Sequence, residues 1–336
     1  MSEQPSASPA FRPYLTHVSR VERLSEHFMR ITLTGPELEH FGTDGYDQRI
    51  KIMLPLADGT WSDPLLFDPD SMQRGAWYEQ WRAIAPNRRN IFRTYTIRAI
   101  DIDQRELTVD FVLHPHAGPA GRFAEHATPG DELVVIGPDS RSAQSDIGID
   151  FHPGAARRLL LIGDETAAPA VGAILDSLQR DQWSRPVQII MEVPTKEDIP
   201  STRATWDFPV EASWLARGPA RHGSTLLPRV AAVAADITDS LEGSGGTIRE
   251  QPGIRPLRDI NVDRELLWEV PAPIRPTSRI GSDDRTEDPR ISPCYIWVAG
   301  EAASVRDIRR LLVHDYRIDR NAIAFMGYWR LGKSEI

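Results

Sequence analysis

An antiparallel β-barrel followed by a parallel-sheet α/β domain is the fold class that this sequence of 336 residues predicts. Up to Pro138, short runs alternating apolar and polar residues are separated by glycine and proline turns, as in antiparallel barrels. From Arg158 the runs become continuously apolar, as in parallel strands buried on both faces. They alternate with segments of helical spacing, the pattern of a nucleotide-binding α/β layer. The expected organisation is a disordered terminus at 1–12, a barrel at 13–140, a linker at 141–156 and an α/β domain at 157–336. That last domain carries a long, partly mobile insertion at 236–293.

In the first half, Leu15–Val18 and Phe28–Leu33 are strand-like, and Thr34-Gly35-Pro36 breaks the second. Arg49–Pro55 is another strand, ended by proline just before a turn. Residues 57–90 insert Trp61, Trp77, Tyr78 and Trp81 ahead of Arg82, Arg88 and Arg89, which makes this stretch either a packed flap or a contact surface. Arg93-Thr94-Tyr95-Thr96-Ile97-Arg98 follows. In an extended strand Arg93, Tyr95 and Ile97 share a face. An arginine fork, an aromatic plate and a hydroxyl on one rigid strand can hold a diphosphate and stack a flat ring. By the same parity Arg98 lies on the opposite face, where a surface ion pair competes with a site role. Alone, such a string is equally an ordinary edge strand. The next segments give it weight: Leu107–His114 is a strand with Asp110, Val112 and His114 on one face, and it leads into Gly118–Ala124. A glycine turn that opens a helix there suits an anion. Asp131–Pro138 is the closing strand.

In the second half, Arg158–Gly163, Val187–Val193, Glu211–Leu215 and Tyr295–Gly300 are strands. Residues 167–180, 226–235 and 304–316 have helical spacing. Between Asp236 and Pro293, Leu266–Glu269 can pack, and Ser278–Arg290 is expected to be mobile on composition. Glu192 ends a parallel strand, where an acid can bind a ribose 2′-hydroxyl, and Gly300-Glu301 follows another at the ligand-binding edge. Glu301 also suits a helix cap.

Composition narrows the function. Lys+Arg 39 against Asp+Glu 48 gives −9, which argues against sequence-independent nucleic-acid binding. The single cysteine, Cys294, excludes an internal disulfide or a cysteine metal cage and suits a reducing cytoplasm. No apolar run approaches the roughly 20 residues of a membrane span, and residues 1–10 lack the apolar stretch of a secretory signal. No acid–base dyad or metal-ligand spacing stands out; His114-Pro115-His116 is too short for a metal site.

The strand at Arg93, the strand at Leu107 and the turn at Gly118, in that order, resemble the flavin-binding barrel of the ferredoxin-reductase superfamily. Gly163-Asp164-Glu165-Thr166-Ala167-Ala168-Pro169-Ala170, Trp297–Ala302 and Gly327–Gly332 resemble the siderophore-interacting proteins, the flavin-dependent ferric-siderophore reductases. The resemblance runs from Tyr14 to Gly332. It implies non-covalent FAD, a ferric siderophore as substrate and NADPH or NADH as donor, with a ferredoxin-type donor as a further option. General flavin or redox-protein oxidoreductases, and a non-catalytic binding protein, are the rival functions.

By that resemblance Arg93 binds the flavin diphosphate, while Tyr95 stacks on the ring and Thr96 bonds near its reactive nitrogen, with Ile97 beside them. Asp110, Val112 and His114 then line the ribityl or adenine side, and Gly118, Ala120, Gly121, Arg122, Phe123 and Ala124 cradle the diphosphate. Asp164 and Thr166 stand where related reductases carry glycines, so the backbone approaches a dinucleotide less closely. Each can cap a helix instead. Arg217 resembles the arginine that accepts a 2′-phosphate, in competition with the signal from Glu192. Glu301 either sits beside the nicotinamide or caps its helix. Tyr328 and Trp329 either cover the flavin or pack as a C-terminal strand. Arg82, Arg88, Arg89, Arg330 and Lys333 are the cations available to an anionic substrate.

Overall fold

The computed structural model describes residues 9–56, 58–63, 68, 71, 76–114, 118–200, 205–243, 262, 265–271 and 294–333. Chain contacts divide the protein into two units: one runs to Ile149 and includes Pro169–Ser177, the other comprises Asp150–Ala168 and the chain from Leu178. Among the described residues no helix is long and apolar enough to cross a membrane.

The first unit is built on β1 (Phe11–Arg23), β2 (Phe28–Thr34), β3 (Arg49–Met53), β4 (Phe92–Thr96), β5 (Ala99–Asp101), β6 (Glu106–Val112) and β7 (Glu132–Pro138). They form one antiparallel sheet in the order β4-β3-β7-β1-β2-β6-β5. β1 is long enough to serve two neighbours: Phe11–His17 pair with β7, and His17–Arg23 with β2. Its register shifts between Val18 and Arg20. Such a bulge bends a strand, which lets this sheet curl into a half-barrel. Period-two alternation on β6 sends Leu107, Val109 and Phe111 inward to meet Ile31, Leu33, Ile52 and Val135. Arg12 and Arg141 clasp the buried Asp139 at 3.1 and 2.6 Å at one end. Beside them the Tyr14 hydroxyl donates to the Pro138 carbonyl at 2.8 Å.

The described residues of this unit include two short helices, α1 (Trp77–Ala83) and α2 (Pro119–His126), besides the Pro169–Ser177 part of a longer helix. The described part of the aromatic insertion is a packed flap. Trp77 is buried, Trp81 lies 4.3 Å from Phe92, and the Trp81 indole donates to the Asn90 carbonyl at 2.8 Å. Buried Asn90 ties the flap down, donating to the Leu54 carbonyl and accepting from the Ser62 N–H, both at 2.7 Å. The extended run expected to reach Arg98 stops at Thr96. There the chain changes partners: Ile97 N–H donates to Gln48 and Arg98 N–H to Thr108. Strand parity therefore does not carry through to Arg98.

The second unit holds β8 (Leu159–Gly163), β9 (Val187–Val193), β10 (Val210–Ala216), β11 (Trp268–Glu269), β12 (Tyr295–Glu301) and β13 (Ile323–Trp329), in the order β10-β9-β8-β12-β13-β11. The first five strands in that order run parallel, but β11 lies antiparallel to β13, with Trp268 opposite Met326. The sheet is thus mixed rather than parallel throughout, because chain that precedes β12 returns along the outer edge of β13. Helices α3 (Ala168–Arg180), α4 (Leu226–Gly243) and α5 (Ala302–Arg309) connect the strands, and α5 widens into a π-helical turn at Arg310–Asp315. Helix α4 extends into the expected insertion; the stretch expected to be mobile, Ser278–Arg290, lies outside the described residues, as does the terminus before residue 9. Of the 141–156 segment, the Ser145 and Ile147 carbonyls accept from the Gln48 amide in the first unit. In the second unit Phe151 sits edge-on to Tyr295.

Gly163 ends β8 under close contact. A Cβ there would overlap that of Ala167 and stand 2.8 Å from the Ala299 carbonyl oxygen. Overpacking of this kind costs about 1–3 kcal/mol. Gly163→Ala should lower the unfolding free energy by that amount, read from a lower denaturant midpoint, without changing the β content seen by circular dichroism.

Candidate functional site

In the first unit the site is built on β4 and the start of α2. Arg93 and Tyr95 stand opposite Ile52 and Ile50 of β3. The Tyr95 ring lies 4.4 Å from Phe111, fixed at 46° to it, and Thr96 and Ile97 are buried. Arg93 is half-buried and donates to the Phe92 carbonyl at 3.0 Å. Among the described residues no carboxylate pairs with its guanidinium.

The neighbouring arginines are committed. Arg30 binds both oxygens of Asp110 at 2.7 and 2.8 Å, and Arg98 approaches the same carboxylate at 3.9 Å while pairing with Asp176 at 2.5 Å. Arg98 lies flat against α3, where a Cβ on Gly172 would meet its guanidinium at 3.0 Å. Asp110 therefore holds two arginines. Val112 and His114 are half-buried at the end of β6.

Gly118 caps α2 in an extended conformation with no side-chain bond, and a Cβ there would meet nothing within 4 Å. Pro119 has no N–H, and the Arg122 N–H already donates to Gly118. The N–H groups of Ala120 and Gly121 remain for an outside acceptor. Arg122 is exposed and Phe123 half-buried, whereas Ala124 is a turn deeper with its side chain in the core. An uncommitted arginine fork and an open, uncapped helix start fit a diphosphate-bearing cofactor.

Of the candidate substrate cations, Arg89 stacks over Trp81 at 4.2 Å and Arg82 lies 5.9 Å from the Tyr78 ring. Arg88 is exposed on the same flap. In the second unit Arg330 donates to the Glu265 carbonyl at 2.8 Å, and exposed Lys333 returns a backbone bond to Arg330.

At the carboxyl edge of the second sheet the polar residues form a closed network. Glu192, fully buried, accepts from the Gly223 N–H at 2.8 Å, the Thr225 N–H and hydroxyl at 3.0 and 2.7 Å, and the Leu226 N–H at 3.1 Å. It thereby caps α4. Burial pushes its carboxyl up, but the bonds from Thr225, Gly223 and Arg217 together outweigh this and hold it below the ordinary glutamate range. Arg217 donates to Glu192 at 3.2 Å and grips Glu165 with two bonds at 3.0 and 3.1 Å. Glu192 and Arg217, expected at opposite choices for a ribose, are bonded to each other instead. A ribose or 2′-phosphate would have to displace those bonds. Glu301 caps α5, accepting from the Ser304 N–H at 2.9 Å.

Asp164 and Thr166 occupy the turn between β8 and α3. The Asp164 carboxylate accepts from the Thr166 N–H and hydroxyl, the Glu301 N–H and the Trp329 indole. Burial, then the adjacent Glu165, push its pKa up to about 6. His222 stands edge-on to Trp329 at 4.8 Å, and burial followed by Arg217 pushes its imidazole down. Trp268 stacks on Tyr328 at 5.8 Å. The β11 contacts and the His222 position lay outside the sequence motifs; only pairing across the sheet brings them here.

Residues 17–142 match the siderophore-interacting FAD-binding domain, and residues 156–332 match the siderophore-interacting protein family. The chain is 25% identical over 324 residues to the ferric vibriobactin reductase ViuB of Vibrio cholerae, covering 96% of this chain and 91% of that one. It is 31% identical over 163 residues to the NADPH-dependent ferric-chelate reductase of Escherichia coli, covering 48% of this chain and 56% of that one. The siderophore-interacting protein SipS from Aeromonas hydrophila superposes with a TM-score of 0.59 at 26% identity, covering 97% of this chain and 94% of that one.

Removing one partner from a buried ionic network leaves the others uncompensated, at about 3–5 kcal/mol. Glu192→Ala strands Arg217 and the N-terminus of α4 together. Its denaturant unfolding should shift by that amount, and hydrogen exchange should quicken first in the amides of the first turn of α4.

Proposed function

From the premise that this chain belongs to the siderophore-interacting protein family, with an FAD-binding domain over residues 17–142, we propose that it reduces ferric siderophores and releases ferrous iron. NADPH or NADH is the donor, taken by the second unit. The observation that carries the reading is Arg93, which pairs with no carboxylate among the described residues and lies on a strand whose next residues are Thr94, Tyr95 and Thr96. Bound FAD supplies two-electron uptake from a hydride and one-electron delivery to iron. Ferrous iron binds the hard oxygen donors of a siderophore more weakly than ferric iron, so reduction favours release.

The residues then have stated tasks. Arg93 offers its fork to the diphosphate, with the Ala120 and Gly121 N–H groups as further donors. Tyr95, held by Phe111, gives the flat ring a fixed plate, and the Thr96 hydroxyl supplies a hydrogen bond at the ring edge. Arg88 and Arg89 of the first unit supply positive charge to an anionic complex on a protein of net charge −9. We place the activity in the cytoplasm, the compartment that supplies NAD(P)H.

Purified protein should be yellow. Anaerobic mixing with NADPH or NADH should bleach the flavin, and adding a ferric siderophore should restore the colour while a ferrous chelator captures iron. Bleaching by reduced ferredoxin alone would assign the donor to a redox protein; stoichiometric siderophore binding without bleaching by any donor would sink the reductase reading. Arg93→Ala should weaken FAD at least about tenfold, since a charge-assisted bond contributes roughly 1.5–3 kcal/mol. Retention of full FAD through dialysis would remove Arg93 from the role.

Exposed charges are screened over about 10 Å at 0.1 M salt. Reduction of an anionic ferric complex should therefore slow with salt, while that of an uncharged trihydroxamate changes little. Reversing Arg88 and Arg89 to glutamate should lower kcat/KM for the anion only.

A further inference from the structure

We infer that the Asp164 carboxylate is an internal occupant of the donor-nucleotide anion site, so that NAD(P)H binds only by displacing it. The inference rests on the second unit taking NAD(P)H, as proposed above. In an open parallel sheet the ligand crevice lies at the carboxyl ends of the strands where the strand order reverses. From β8 the chain goes outward to β9 and β10, then crosses to β12 and β13 on the other side. The reversal falls between Gly163 and Gly300. The β8–α3 turn is also where a dinucleotide fold places its phosphate-binding donors, at a helix start.

Those donors are present, and one carboxylate holds them all. The Thr166 N–H donates to Asp164 at 2.9 Å and its hydroxyl at 2.6 Å, the Glu301 N–H at 2.6 Å and the Trp329 indole at 3.0 Å. Backbone donors of the first turn and of the strand end thus converge on a single anion, as they would on a phosphate. The carboxylate also fills the space that makes close approach possible. Gly300 has φ +146°, and a Cβ there would stand 2.7 Å from the Asp164 carboxylate. Asp164 itself is almost fully buried, and the recess around it is lined by Gly223, Gly300, Glu301 and Ser304. A buried, charged group with four donors is costly to displace, so the site is held weak for dinucleotides rather than absent.

Charge bears on this. The groups that face Asp164 are Glu165 beside it, Glu301 at the end of β12, His222 ahead of α4, and Arg217, itself bound to Glu165 and Glu192. The carboxyl is pushed up to about 6 by burial and Glu165. Displacement into solvent lets that value fall back, so below about 6 displacement must also release a proton.

The test measures binding of NAD+ and NADP+ to the oxidised, FAD-loaded protein by titration calorimetry, with no turnover involved. Asp164→Gly vacates the recess and Asp164→Asn removes the charge alone. Expected are dissociation constants lower by at least about tenfold in the glycine variant and by a smaller factor in the asparagine variant. Should either variant fold poorly, the wild-type protein carries the test: NAD+ should bind several-fold tighter at pH 8 than at pH 5.5. Equal affinity in wild type and variants, with no pH dependence, overturns the inference and leaves the NAD(P)H reading standing. No measurable binding in any of these proteins, with no flavin bleaching by NAD(P)H, overturns that reading and this inference together.

Discussion

A charge taken into a protein interior must be matched there, and the second unit is arranged around that requirement. Three ionised groups, Glu165, Glu192 and Arg217, meet at the carboxyl ends of neighbouring parallel strands, and the two glutamates are fully buried. Each carboxylate alone would be untenable at that depth. Arg217 bridges them, and the start of α4 supplies Glu192 with its remaining donors. The network thereby sets where α4 begins relative to β9 and β10. A ribose approaching Glu192 or Arg217 would compete with these bonds.

The same accounting separates the arginines of the first unit. Arg12 clasps Asp139, Arg30 is bound to Asp110, and Arg98 to Asp176. All are framework. Arg93 differs in pairing with no acid among the described residues, which leaves its fork available to an outside anion. An arginine's pairing, rather than its place in a motif, decides its availability. The two arginines of the Arg93–Arg98 run have opposite fates because the chain leaves β3 for β6 between them.

Helix starts divide the same way. Helices α4 and α5 are capped from within by Glu192 and Glu301, and the turn into α3 by Asp164. Helix α2 has a glycine cap with no side-chain bond and open space in front of it. An uncapped start pointing to open space has unmet donors and a favourable dipole for an anion.

How much of this was legible beforehand depended on whether a feature was local. Val187–Val193 reads correctly to the residue because an apolar run between prolines has one plausible fate, and Gly118-Pro119 announces a helix start by chemistry confined to two residues. A C-terminal strand at Tyr328 and Trp329 was among the readings, but β11 was not legible as a sheet strand, since a dipeptide acquires its meaning only from a neighbour across the sheet. The sequence by itself determined the change from alternating to continuous apolar runs, and with it a barrel-like unit followed by an α/β unit. It determined too that an arginine, a tyrosine and a threonine share one strand. Tertiary structure alone decided which charged side chains remain available. Pairing is settled by residues far apart in the chain, as Arg30 with Asp110, Arg217 with Glu165 and Trp329 with Asp164 illustrate, and no periodicity encodes such meetings.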